Sequence, residues 1–410
     1  MKNSKVLGNT LMLYIMSFAK LILPLVTMPY LTRVLTEESY GLMSYVRSYM
    51  TYMQLFVDFG FILSSVKDIV KAGDDKKQIG TIAGNTFISK SILCAVAALM
   101  MLCICVTVDT LRINWVYVLL SFLSVATTIF LADFLFRGIE KMQYITIIFL
   151  ITKSISTILT FILVKDDNTM MWIPVLEILA NVISTFISIG ILRKLEIRVR
   201  VSNLKDCLSM IKESFKYFLS NIATTAFSAL NTLIIGIYIT DLALVAQWSL
   251  CLNMITAIQG LYAPICNGVY PHMVKERSLR FIHKVLTLIM PVVTAGCVFS
   301  FIVAEQALII IGGEKYVVAA PIFRCMIPIL FFGFPAQVLG WPSLGAIGKV
   351  NETTTSTIIA AISQVLGIVL LIIFGGFNLI NLAILRFSTE FVLLLVRGVM
   401  VIHYKKMFVR

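Results

Sequence analysis

The sequence predicts an all-α polytopic membrane protein, with about twelve transmembrane helices in two six-helix lobes around a central cavity. Three observations predict it. Apolar runs of about 20 residues, the length that crosses roughly 30 Å of hydrocarbon at about 1.5 Å per residue, recur along the whole chain. Hydrophobic residues make up 59% of the 410 residues and charged residues only 13%, with a mean hydropathy of +0.95, a balance that a water-soluble domain of this size does not carry. Lysine and arginine crowd into alternate breaks between the runs, as the positive-inside bias requires. Only helices and closed barrels satisfy every backbone group in lipid, and runs this long without strict alternation are helices.

The first run, 7–31, follows Lys2 and Lys5 like the start of a signal peptide, but it is too long and lacks a small-residue cleavage site, so it stays as a helix. Runs 41–66, 79–108, 115–136, 144–164 and 172–192 complete a first lobe over residues 1–192. The longest hydrophilic break, 193–217, is a basic cytoplasmic linker. Within it Leu204, Leu208, Ile211 and Phe215 recur at helical spacing beside Lys205, Lys212 and Lys216, the pattern of a helix lying on an anionic leaflet or of a solvated linker helix. Runs 218–240, 244–269, 285–304, 318–344, 353–374 and 379–402 form the second lobe, 218–410. Pro321, Pro328, Pro335 and Pro342 predict a kinked tenth helix.

With the N-terminus taken as cytoplasmic, 23 lysines and arginines fall on that side and four (Arg33, Arg112, Lys165, Lys315) on the other, leaving seven inside the spans. Both termini are then cytoplasmic. This asymmetry accounts for most of the net charge of +13, and no soluble segment interleaves basic and aromatic residues, so nucleic acid is not an expected partner. The eight cysteines show no CxxC or metal spacing and read as apolar filler. A short echo, "LTEESYG" after the first run and "ITDLALVA" after the seventh, fits duplicated halves facing each other around a cavity, a common transporter plan.

The intramembrane cations are Lys20, Arg47, Lys90, Lys153, Arg324, Arg386 and Arg397, against the carboxylates Asp58, Asp133, Glu177 and Glu390. At about 2.5–3.5 kcal/mol each on insertion scales, seven such charges cost on the order of 20 kcal/mol before pairing or snorkelling reduces it. Arg386 and Glu390 are spaced to pair on one helix, Asp133 is spaced to pair with Arg137, Arg397 lies near a cytoplasmic end, and Glu177 is expected to reach the outer interface. Lys20, Arg47, Lys90 and Lys153 have no carboxylate three or four residues away and sit on polar stripes such as Arg47, Thr51, Gln54 and Asp58. They predict a water-filled, anion-binding cavity suited to phosphate or pyrophosphate, with structural pairing to carboxylates on neighbouring helices as the other reading. Asp58 is a candidate for H+ or Na+ coupling, with a structural hydrogen bond as the other reading; no other cofactor and no metal is expected. Asn221 and Asn253, on uncharged polar stripes of the seventh and eighth runs, are candidate sugar-facing groups, or else helix-packing ones.

The N-terminal run "LGNTLMLYIMSFAKLILPLVTMPYLTRVLTEESYGLMSY", with Pro29, Tyr30, Arg33, Leu35, Glu38, Tyr40 and Gly41, resembles the start of the polysaccharide repeat-unit (O-antigen) flippases of the multidrug/oligosaccharidyl-lipid/polysaccharide exporter superfamily. Thr36 departs from the family's usual glycine at this turn. The resemblance implies two lobes that open alternately to each face of the bacterial inner membrane. It also implies a cationic lumen that carries an undecaprenyl-pyrophosphate-linked oligosaccharide, with Lys20, Arg47, Lys90 and Lys153 on the pyrophosphate and a polysaccharide polymerase as a candidate partner. The rival readings are a drug or cation antiporter of the same superfamily, expected to have an acid-rich lumen, and a lipid-linked peptidoglycan precursor flippase, usually with two more helices. A membrane glycosyltransferase or polymerase fits least, because the outer loops are short and no nucleotide loop or catalytic His/Ser/Asp set is present.

Overall fold

The computed structural model describes residues 2–225, 229–239 and 241–409, and the described residues contain helices and no strand. In chain order the helices are α1 (Lys2–Val34), α2 (Glu37–Asp58), α3 (Phe61–Ala72), α4 (Lys76–Thr107), α5 (Asp109–Ile113), α6 (Trp115–Thr127), α7 (Asp133–Gly138), α8 (Met142–Leu163), α9 (Trp172–Lys194), α10 (Leu204–Thr225), α11 (Ala229–Tyr238), α12 (Leu242–Gly260), α13 (Tyr262–Glu276), α14 (Leu279–Ile302), α15 (Ala304–Gly312), α16 (Ala320–Met326), α17 (Pro328–Val338), α18 (Val350–Ile373) and α19 (Leu379–His403). They divide into two compact units, Met1–Ile222 and Ala223–Arg410.

Among the described residues nine helices are long and apolar enough to cross a membrane, or ten when the bent pair Glu314–Met326 and Pro328–Gly345 counts as one span. The chain is therefore a multi-pass membrane protein. Two of the twelve expected spans are not in that set. Segment 41–66 is broken where Phe59 (φ 41°) and Gly60 (φ 81°) turn left-handed between α2 and α3. Segment 218–240 is divided between α10 and α11, and its central residues 226–228 lie outside the described residues. The proline-rich tenth segment bends by 41° between α16 and α17 and ends in the wide turns of Leu339–Gly345, where the Ser343 hydroxyl donates to the Val338 carbonyl at 2.7 Å and satisfies a group the irregular backbone frees.

In the first unit α1 lies along α8. Met16 joins Ile145 and Ile148 in the core, the Thr146 hydroxyl donates to Met12 O (2.9 Å), and the Tyr30 hydroxyl donates to Val164 O (2.7 Å). Thr36, where the resembled family has glycine, has φ −64° and caps α2 by accepting from Ser39 N at 3.2 Å, so this turn needs no glycine. Gly60 is required twice over at the α2–α3 corner: its φ is left-handed, and a Cβ would come within 2.5 Å of Tyr217 Cβ on α10. That corner is where α10 docks, with Phe59 stacked on Phe218 (4.4 Å), the Ser64 and Ser214 hydroxyls 2.6 Å apart, and Lys67 donating to Glu213 at 2.7 Å.

The chain between α9 and α10 is strapped to α4. A Cβ at Gly80 or Gly84 would sit 2.0 Å from Arg198 O or 1.9 Å from Arg200 O, so this close approach depends on glycine. Arg200 N donates to Gly80 O at 3.0 Å, and Ser202 N donates to the Asn85 side chain at 3.0 Å.

The second unit packs α12, α13, α16, α17 and α19 around Trp248, Tyr262, Phe323, Phe334 and Val401. Several of its intramembrane polar groups are bonded within the core. Gln364 of α18 donates to Asn231 of α11 (2.9 Å) and accepts from Thr389 of α19, and Arg386 donates to Glu390 at 3.0 Å, the pair that the four-residue spacing predicts. Arg397 donates to Ala336 O (2.7 Å), Ser356 Oγ (3.0 Å) and Thr357 Oγ1 (3.1 Å).

Candidate functional site

Three of the four cations expected in a lumen come together in the first unit. Lys20 of α1, Arg47 of α2 and Lys153 of α8 line two adjoining chambers of about 320 Å³ and 480 Å³ that share walls. α1 carries Pro24 and Pro29, and its seam with α8 brings Lys20 across from Phe149, with Nζ 5.3 Å from the ring centre. Lys20 and Arg47 are exposed to the chambers and Lys153 is half-buried. Between the cations the walls mix hydroxyls and amides, Ser124 and Asn181 among them, with apolar side chains such as Met50 and Phe149.

The chambers also hold carboxylates. Glu177 of α9 lines both chambers, with an oxygen 3.4 Å from Ser124 Oγ. Asp133, spaced for a pair with Arg137, lines the larger one. Counting helical turns placed Glu177 about one turn inside its span, but depth along a helix does not say which way a side chain faces. The signal that could have found it is its spacing from Asn181, Ser184 and Ser188, which recur every three or four residues on α9 and all line the larger chamber. Three cations against two carboxylates leave the space net cationic, and the acids give the cations partial counter-charge when no anionic ligand is present.

Lys90 is placed differently. It is 7% exposed and does not line either chamber; its ammonium donates to Asp58 Oδ1 at 2.8 Å, joining α4 to α2. Gln54 donates to Asp58 Oδ2 (2.7 Å) and to Thr128 Oγ1 (3.0 Å), so both oxygens of Asp58 are engaged. The carboxylate proposed for ion exchange and the fourth cation are thus partners in one ion pair between helices. Asn221 is half-buried on α10 and Asn253 exposed on α12, and neither lines the cation chambers. Arg324, the remaining intramembrane cation, pairs with Glu305 at 3.0 Å.

The chambers can take a multiply charged anion. A guanidinium offers a planar fork and two ammonium groups offer compact point charges, with hydroxyl and amide donors between them, which suits a phosphate or diphosphate better than a metal ion or a catalytic reaction. Among the described residues no group of three or more histidines, cysteines or carboxylates is placed to hold a metal.

Two curated bacterial relatives provisionally named O-antigen transporter match the chain. One from Shigella dysenteriae is 28% identical over 67% of this chain and 69% of its own length, and one from Escherichia coli K12 is 25% identical over 81% of each. Among solved structures the fold matches an inward-facing multidrug resistance MATE family transporter of the MOP superfamily (TM-score 0.68, 14% identity, 94% of this chain and 99% of the other). It also matches the lipid II flippase MurJ in an inward closed conformation (TM-score 0.68, 14% identity, 95% and 87%). The model of a family described as polysaccharide biosynthesis protein matches residues 6–277, so this chain belongs to that family.

Proposed function

We propose that the chain is a flippase that moves an undecaprenyl-pyrophosphate-linked oligosaccharide repeat unit from the cytoplasmic to the periplasmic leaflet of the inner membrane by alternating access, for O-antigen or another surface polysaccharide. The observation that carries this reading is the convergence of Lys20, Arg47 and Lys153 on one polar space in a polysaccharide-biosynthesis family member. Phosphates are the chemistry those groups recognise, and the names of the curated relatives support a lipid-linked sugar as the carried molecule. The cation-rich chamber disfavours a cationic drug, which like charges repel.

On this reading the diphosphate enters between the three cations, beside Glu177 and Asp133. The carboxylates then lower the cost of letting it go. A proton or Na+ taken up by Glu177 during that exchange would couple transport to an ion gradient. Asp58 can do so only by giving up Lys90 and Gln54. The 23-to-4 loop asymmetry supports cytoplasmic termini, and a polysaccharide polymerase would take the delivered unit. The test is flipping of a purified lipid-linked oligosaccharide by the purified full chain in liposomes. Movement of that lipid and not of a cationic dye is expected, and the reverse result overturns the reading.

A further inference from the structure

A third cavity in the first unit, of about 700 Å³, shares Ser188 with the larger of the cation chambers. Its volume falls within the roughly 300–1,000 Å³ typical of ligand pockets. Its interior is hydrocarbon: Phe87 of α4, Phe130 beyond α6, Ile189 and Leu192 of α9, and Val199 of the strap. Its mouth is charged. Arg193, in the last turn of α9, and Arg198 of the strap are both exposed there, and the acid between them, Glu196, is held by Lys76 at 2.7 Å.

The backbone builds this mouth deliberately. α9 ends with Glu196 left-handed (φ 59°) and Ile197 N donating to Leu192 O at 3.0 Å, a turn that folds the chain back over the pocket. The strap is then pinned to α4 at Gly80 and Gly84. One wall of an apolar pocket is thus a non-helical segment at the end of a membrane-length helix, with two arginines where that helix meets the leaflet surface.

An apolar interior under a cationic rim matches one molecule that every bilayer supplies there. We propose that this pocket binds an anionic phospholipid of the leaflet on the linker side, with its phosphate on Arg193 and Arg198 and an acyl chain among Phe87, Phe130, Ile189 and Leu192. The lipid would fill a void that otherwise sits beside the strap and would steady the crossing from α9 to α10. This inference does not depend on which substrate the cation chambers carry.

The test is native mass spectrometry of the purified full chain incubated with an equal mixture of phosphatidylglycerol and phosphatidylethanolamine of identical acyl chains. Selective retention of phosphatidylglycerol is expected. Arg193→Ala with Arg198→Ala should retain it about 30-fold less, from two cations at about 1 kcal/mol each. Ile189→Trp, which fills the interior and leaves the arginines in place, should cut retention of both lipids. Equal retention of the two lipids by the unsubstituted chain, or unchanged selectivity in the double-arginine variant, overturns the proposal. Displacement of bound phosphatidylglycerol by a short-chain polyprenyl diphosphate also overturns it and assigns the pocket to a carried lipid.

Discussion

Arg47 in the first unit and Arg397 in the second carry the same guanidinium into apolar surroundings, and the two units answer that cost in opposite ways. Arg397 is 8% exposed and spends its donors on a carbonyl and two hydroxyls of α17 and α18. Arg47 is exposed to a polar chamber it shares with Lys20 and Lys153. A buried cation with each of its three nitrogens bonded inside the core is part of the scaffold, whereas one left facing a cavity is available to a ligand. The distinction lies in the partners and not in the residue type.

The sharpest way to break this comparison is at Arg397. Arg397→Leu removes the bonds to the Ala336 carbonyl and to the Ser356 and Thr357 hydroxyls and should destabilise the second unit by roughly 2–4 kcal/mol, read as a lower melting temperature in detergent and lower membrane abundance. Normal abundance with lost transport would instead move Arg397 into the class of Arg47. Next in size are the chamber cations. Lys20→Ala, Arg47→Ala and Lys153→Ala should each reduce flipping about tenfold or more, on the order of 1.4 kcal/mol or above for a lost charge-assisted bond, at near-normal abundance. Lys20→Arg and Lys153→Arg should retain more activity than alanine. Wild-type surface glycan in all three alanine variants would remove the cationic chamber from the mechanism.

Lys90 sharpens the comparison with the smallest effect. Its partner Asp58 has a side chain 42% exposed, so the pair falls between a surface and a buried bridge. Lys90→Ala and Asp58→Ala should each cost about 1–2 kcal/mol of thermal stability, and the double variant should cost less than their sum. If the two losses add fully, or if Lys90→Ala abolishes transport at unchanged stability, Lys90 acts with the chamber cations despite its pairing.

What sequence reasoning could reach follows from the length scale of each interaction. Lys20, Arg47 and Lys153 were visible because charge is rare in lipid-length runs, and the Arg386–Glu390 pair because its partners are four residues apart. The Lys90–Asp58 bridge spans 32 residues and two helices, so no local pattern announces it. The four prolines marked the bent tenth segment, which bends 41° between α16 and α17. The break at Phe59–Gly60 was missed because the apolar run continues through it, and Tyr217, whose close approach needs a glycine at 60, lies more than 150 residues away.

That corner has a consequence for the order in which the protein is made. Phe59 and Ser64 leave the ribosome long before the residues that cover them, since Ser214 follows Ser64 by 150 positions. At about 5–20 residues per second the corner waits roughly 8–30 s for its partner helix. Four spanning segments are synthesised in that interval without completing their own unit. A chain ending at residue 203 would stop with the corner bare, whereas one ending at 222 carries all of α10 that packs on it. The N-terminal half is therefore finished by the segment that also begins the passage to the second half, and the two halves are joined in time as well as in sequence.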